Sequence, residues 1–225
     1  MNIADFLSNP EHRKIDNIVR FNSHPFVIGE SVSQHSWWVV AFGTMICEYL
    51  FTKDSVQHLN LILRILNKCT FHDFLEGKTG DVLYDLKHNS FNGEELKKLI
   101  VAFENKILED MTGISAVSTN SSLLSNLLYD SMVSNEEHGK YQELEESILK
   151  MSDWLACIKY ELNELTLGNT NFVELYAISI VGLEKTIGKV VEAYRKQPLL
   201  YDAARYGKFR EQAVKIMDYL KQVKI

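Results

Sequence analysis

An all-α fold is what this chain predicts, and three observations support it. Apolar residues recur at spacings of three and four almost throughout. Strict apolar–polar alternation, the mark of a strand, is sustained nowhere. Only 3 prolines and 11 glycines interrupt 225 residues, so long unbroken elements are expected. Hydrophobic residues make up 46% and charged residues 24%, the balance of a folded chain rather than a disordered one. A chain of this length buries a good core as one domain, so residues 1–225 are expected to form a single unit without repeats or linkers.

The elements follow in order. A short helix is expected to open the chain, before an irregular stretch from Asn22 to Gly29 that contains Pro25. Ser31 or Ser33 can cap the next helix, whose apolar stripe includes Trp38, Val39, Phe42, Ile46 and Tyr49. A second helix is expected from Val56 to Leu75, with its apolar stripe through Leu59, Ile62, Leu66 and Cys69, ended by Gly77 and Gly80. Helical patterns return around 93–109 and 121–134. The clearest helix covers 140–166, where Leu144, Ile148, Met151, Leu155, Ile158, Leu162 and Leu165 make a packing seam. Gly168-Asn169 is its stop signal, and two further helices, broken near Gln197-Pro198, fill the remainder.

Charge and cysteine content narrow the function. A formal net charge of −6 gives no global attraction to nucleic acid or anionic lipid, and no Lys/Arg face is clustered. A phosphate-bearing ligand would need a local basic pocket. Cys47, Cys69 and Cys157 lie in apolar surroundings without a CxxC pair and read as reduced core thiols. No apolar run reaches the roughly 18 residues that span a membrane, and no signal pattern opens the chain, so a soluble cytoplasmic protein is expected.

Four residues stand out chemically. His35 precedes Trp38, Val39 and Phe42 by three, four and seven positions, at the start of a helix on its buried face. His72 and Asp73 close the second helix, where Ile65, Leu66 and Cys69 define the buried side. Asp153 is flanked by Leu149, Ala156, Cys157 and Tyr160, and a carboxylate in that company must be paired or bound to a cation. Taken singly, each also fits a structural role as a hydrogen-bonded core histidine, a cap or half of an ion pair. Taken together, two imidazoles and two carboxylates on inward-facing positions suit one divalent cation: Mn2+, Co2+, Mg2+, Fe2+ or Zn2+.

The spread His35, His72-Asp73 and Asp153 resembles the H…HD…D signature of the HD superfamily of metal-dependent phosphohydrolases. Ser33-Gln34-His35-Ser36, the run His72-Asp73-Phe74-Leu75-Glu76-Gly77-Lys78-Thr79-Gly80-Asp81, and Ser152-Asp153-Trp154-Leu155-Ala156-Cys157 with Gly168-Asn169 resemble elements of the bacterial HD-domain 5′-deoxynucleotidases. The similarity covers about residues 12–175 and leaves the helices of 176–225 unexplained.

The resemblance implies an HD helical bundle in which His35, His72, Asp73 and Asp153 hold one divalent metal. It implies Glu76 and Asp81 as acid/base groups, and Arg20, Phe21 and Lys87 as substrate contacts. A deoxynucleotide substrate, no nucleic-acid or membrane partner, and a homodimer or larger homo-oligomer complete the expectation. The chain departs from the pattern after Thr79-Gly80-Asp81, where Val82-Leu83-Tyr84-Asp85 replaces the usual prolines, and at Phe21, where the family usually has tryptophan. The leading activity is a deoxynucleoside 5′-monophosphatase releasing phosphate. A deoxynucleoside triphosphohydrolase releasing triphosphate, with Lys78, Lys87 and His88 as extra cations, and a non-catalytic helical interaction protein are the alternatives. His58 and His88 are not placed for the extra ligands of a cyclic-nucleotide phosphodiesterase.

Overall fold

A computed structural model describes residues 14, 16–21, 24–76, 93–112 and 139–223. Among the described residues there are six α-helices and no strand: α1 (Val32–Leu50), α2 (Val56–Phe71), α3 (Gly93–Thr112), α4 (Gln142–Thr166), α5 (Val173–Arg195) and α6 (Ala203–Gln222). The all-α class is as the periodicity predicts. The opening helix and the 121–134 pattern lie outside the described residues. No described helix is long and apolar enough to cross a membrane.

The chain divides into two compact units. The first comprises Met1–Pro25, Gly29–Ser36 and Phe71–Val133, so it holds α3, the first turn of α1 and the end of α2. Its backbone is tied by an isolated antiparallel bridge between Val19 and Ser31. Arg20 N–H donates to Glu30 O at 2.9 Å, and Val32 N–H to Ile18 O at 3.0 Å.

The second unit comprises Phe26–Ile28, Trp37–Thr70 and Ser134–Ile225 and contains one continuous core. The α4 seam is buried as its spacing requires: Leu144, Ile148, Met151, Leu155 and Ile158 are shielded, with Leu162 and Leu165 packed at the edge. Gly168 ends α4 at φ +85°, a backbone state that costs residues with a Cβ about 1–2 kcal/mol. Asn169 N–H then donates to Glu164 O at 3.0 Å and Gly168 N–H to Leu165 O at 2.9 Å, a Schellman closure. Asp202 caps α6 by accepting from Ala204 N–H and Arg205 N–H.

Two stripes differ from expectation. On α1, Val39 and Ile46 are buried as expected, but Leu50 takes the inward place and Tyr49 is exposed. On α2 the buried face runs through His58, Leu61, Ile65, Lys68 and Cys69, while Leu59 is exposed. The reason is that α2 is apolar on both sides, so its pattern alone selects no face. The residues beyond 175 belong to this core. Phe209, Met217 and Leu220 of α6 are buried, Arg205 Nη1 donates to Phe51 O at 2.6 Å and Glu48 O at 3.0 Å, and the Tyr194 hydroxyl lies 2.7 Å from Leu50 O. Glu48 O and Leu50 O, two C-terminal carbonyls of α1 without an intrahelical partner, are satisfied in this way.

Gly182 of α5 faces the Trp154 ring so closely that a Cβ would run into it, whereas a Cβ at Gly188 meets no heavy atom within 4 Å. Gly182→Ala is expected to lower the urea midpoint, with about 1–3 kcal/mol of overpacking against about 1 kcal/mol of helix propensity gained. Gly188→Ala is expected to raise it by up to about 1 kcal/mol. A shift of the same sign in both would refute this account of the α4–α5 contact.

Candidate metal centre

The first unit places its chemistry on two short backbone devices. Ser31 Oγ accepts from Gln34 N–H at 3.3 Å, and Gln34 Oε1 accepts from Ser31 N–H at 2.9 Å, a reciprocal capping box. His35 therefore enters in the first turn of α1, its N–H on Ser31 O at 3.0 Å, and its side chain is completely buried. The second device lies at the end of α2, which stops at Phe71, four residues short of the expected Leu75. Phe74 N–H bonds Phe71 O and Glu76 N–H bonds Asp73 O, each at 3.0 Å. These tighter i→i−3 bonds re-aim His72 and Asp73 away from a helical course.

The result is a convergence on one oxygen. Asp73 Oδ2 lies 2.9 Å from Arg20 Nη1, 3.1 Å from His72 Nε2 and 3.8 Å from His35 Nε2. The two imidazole rings are 5.5 Å apart between centroids. One ligand atom each from His35, His72 and Asp73 lies within 4.8 Å of the others. Burial alone would push the Asp73 carboxyl up, but His72, Arg20 and His35 outweigh it and hold the group well below the usual carboxylate range. Asp73 is therefore a carboxylate at neutral pH. Two imidazole nitrogens and a carboxylate oxygen at this spacing are a donor set that a divalent transition ion takes, so these residues fit such an ion.

Around this set, Arg20 is mostly buried and spans Asp73 and the Phe21 ring, 5.7 Å from its centroid. Phe21 has φ +55°, rare for a bulky residue, and His24 N–H closes the turn onto Phe21 O at 2.8 Å. Strained backbone of this kind persists where surrounding structure over-determines it. Glu76 is buried directly after the His72–Leu75 turn. Asp81 and Lys87 lie outside the described residues, as do Gly77 to Gly80 and His88.

Asp153 belongs to the second unit, on α4. Lys150 Nζ lies 2.6 Å from its Oδ2, and the Cys157 thiol donates to Oδ1 at 3.8 Å. His58 accepts Thr52 N–H at 3.1 Å through Nδ1, so it serves the turn before α2. All three cysteines are buried and none is in a disulfide, as the sequence suggests. Burial pushes the Cys69 thiol up to about 12 and Cys47 higher still.

Among the buried carboxylates that the local pattern does not single out are Glu30 and Glu164. Glu30, buried beside His35, places Oε2 3.6 Å from His35 Nδ1. Glu164 accepts from Val27 N–H at 2.7 Å, Ile28 N–H at 2.8 Å and Asn169 Nδ2 at 2.7 Å, while the Tyr160 hydroxyl donates to Ile28 O at 3.0 Å. Its position four residues before the Gly168-Asn169 stop was the available signal, but the Val27 and Ile28 partners lie far away in the chain.

Comparison with known proteins adds the following. The family 5′-deoxynucleotidase YfbR-like matches residues 11–199. No curated protein is matched. Among solved structures, the HD phosphohydrolase DatZ of cyanophage S-2L, bound to dA and one catalytic Zn2+ ion, is 13% identical with a TM-score of 0.57, covering 94% of this chain and 97% of that one. A conserved hypothetical protein from Pyrococcus furiosus is 18% identical with a TM-score of 0.58, covering 99% and 100%. An HD-domain phosphohydrolase from Listeria innocua is 19% identical with a TM-score of 0.59, covering 97% and 99%. At these identities the likeness is one of fold.

Glu164 yields a pH prediction. Burial pushes its carboxyl up, yet the bonds from Val27, Asn169 and Ile28 bring it below the usual 4.5. A depressed carboxyl stabilises the fold above its unfolded pKa and loses that contribution as pH falls through the folded one. Stability is therefore expected to drop as pH falls below about 4.5, and Glu164→Gln to flatten that part of the curve while costing about 2 kcal/mol at neutral pH. Urea midpoints across pH check this; an unchanged profile in the variant would remove Glu164 from the effect.

Proposed function

This chain belongs to the YfbR-like 5′-deoxynucleotidase family, and from that premise we propose that it hydrolyses the 5′-phosphate ester of deoxynucleoside monophosphates, releasing phosphate. It is a metal-dependent nucleotide phosphohydrolase of HD type. The observation that carries the finer reading is the convergence of His35, His72 and Arg20 on Asp73, which puts a cation for phosphate beside a donor set for a metal.

In this reading His35, His72, Asp73 and Asp153 would hold one divalent ion, with residues 1–225 acting as one domain. When bound, such an ion supplies Lewis-acid polarisation and acidifies a water. The protein's own groups do the rest. Glu76 accepts a proton from the attacking water as the new oxygen–phosphorus bond forms. Asp81 gives a proton to the 5′-oxygen as the phosphorus–oxygen bond breaks, so nucleoside and inorganic phosphate leave. Arg20 and Lys87 offset the phosphate charge against an acidic protein, and Phe21 borders the base and sugar. Zn2+ stands beside Mn2+, Co2+, Mg2+ and Fe2+ as a candidate, since the structurally similar DatZ holds a catalytic Zn2+ ion.

A panel experiment tests the reading. Metal-stripped protein is given dNMP, dNTP and cyclic nucleotides with each divalent ion, and the products are resolved by chromatography. Phosphate and nucleoside from dNMP are expected; triphosphate from dNTP would transfer the proposal to a triphosphohydrolase, and no turnover with any pair would favour an interaction protein. Glu76→Ala is expected to keep metal binding and lose hydrolysis by at least about 100-fold. Wild-type rates in that variant would exclude Glu76 from the mechanism.

A further inference from the structure

Glu30 takes no part in the proposed hydrolysis, yet it is only 5% exposed. A carboxylate withdrawn so far from water is costly unless it is answered. Its backbone is fixed: Arg20 N–H donates to Glu30 O at 2.9 Å, and the Val19–Ser31 bridge lies directly beside it. From this anchored position Oε2 lies 3.6 Å from His35 Nδ1. The other nitrogen of that ring, Nε2, lies 3.8 Å from Asp73 Oδ2. His35 therefore has a carboxylate at each nitrogen, and its ring is completely buried.

A neutral imidazole carries one proton and can ligate only through the other nitrogen, so the carboxylate that takes the proton decides which nitrogen faces a metal. The two carboxylates are not equivalent. Asp73 Oδ2 already has Arg20 Nη1 at 2.9 Å and His72 Nε2 at 3.1 Å, whereas Glu30 Oε2 is buried without a hydrogen bond of its own. We infer that Glu30 is a positioning residue whose carboxylate accepts the Nδ1–H of His35, leaving the Nε2 lone pair directed toward Asp73 and the ion. The 3.6 Å separation is a few tenths of an ångström beyond hydrogen-bond length, a gap that a small side-chain rotation closes. Because the Glu30 backbone is tied to that of Arg20, the residue links the Arg20 segment to His35. The inference rests on the metal-centre reading above.

The test has two readouts. In the metal-stripped, 15N-labelled full chain, at a pH where imidazoles are neutral, long-range proton–nitrogen correlation reports the His35 tautomer; Zn2+ affinity is measured separately by competition with a chromophoric chelator. Wild type is expected to show Nδ1–H. Glu30→Ala should shift the tautomer toward Nε2–H and weaken Zn2+ by about 10–100-fold. Glu30→Gln, whose amide oxygen still accepts from Nδ1, should keep the wild-type tautomer and most of the affinity. An Nε2–H tautomer in wild type overturns the inference without any variant, so a Glu30→Ala protein that fails to fold does not shelter it. A folded Glu30→Ala with unchanged tautomer and affinity overturns it equally. Wild-type protein that binds no divalent ion would instead sink the metal-centre reading, and the tautomer measurement keeps the two failures apart.

Discussion

A single carboxylate oxygen, Asp73 Oδ2, organises the first unit. It is largely removed from water and must be answered by positive charge or hydrogen bonds, since an unanswered buried carboxylate costs several kcal/mol. Arg20 and two imidazoles converge on it from separate stretches of chain. The local backbone bends to make this possible. The α2 helix gives up its i→i−4 ladder after Phe71, and a capping box brings His35 in at the first turn of α1. His35, His72 and Asp73 also offer the donor atoms that a divalent cation takes, with the Arg20 guanidinium beside them.

The second unit meets the same constraint repeatedly along α4. Glu145, Glu161 and Glu164 are all buried. Glu145 is bracketed by Arg64 at 2.6 Å and Lys68 at 3.0 Å, Glu161 accepts the Ser179 hydroxyl at 2.7 Å, and Glu164 binds the backbone of Val27 and Ile28. Each solution joins α4 to a different element, so the helix is fixed in register by polar contacts as well as by its leucine seam. Buried ion pairs add little net stability, but loss of one partner leaves an uncompensated charge at a cost of about 3–5 kcal/mol. The helices beyond 175 act in the same spirit, with Arg205 and Tyr194 closing the carbonyl end of α1.

Arg20 joins the carboxylate to an aromatic neighbour. Paired with Asp73 at 2.9 Å, its guanidinium answers a carboxylate withdrawn from water. Its neighbour Phe21 is held at positive φ, so the segment that would border a nucleotide is strained rather than relaxed.

The class of fold and the α4 seam with its glycine stop are legible in the amino-acid order alone. These depend on periodicity, capping chemistry and residue identity, all of which are local. Ser31 as a cap candidate, Gly168 and the apolar seam of α4 were legible because their partners lie within one or two turns. The buried face of α2 was not, because Leu59, Leu61, Leu63 and Ile65 offer apolar surface on both sides. Asp81 and Lys87, also named from the sequence, lie outside the described residues. What only the tertiary structure decided is who answers each buried charge. Asp73 finds Arg20 at 53 residues' separation and Glu164 finds Val27 at 137. Partners that distant leave no trace in local pattern, because the cost of burying a charge is met by whatever the fold brings beside it.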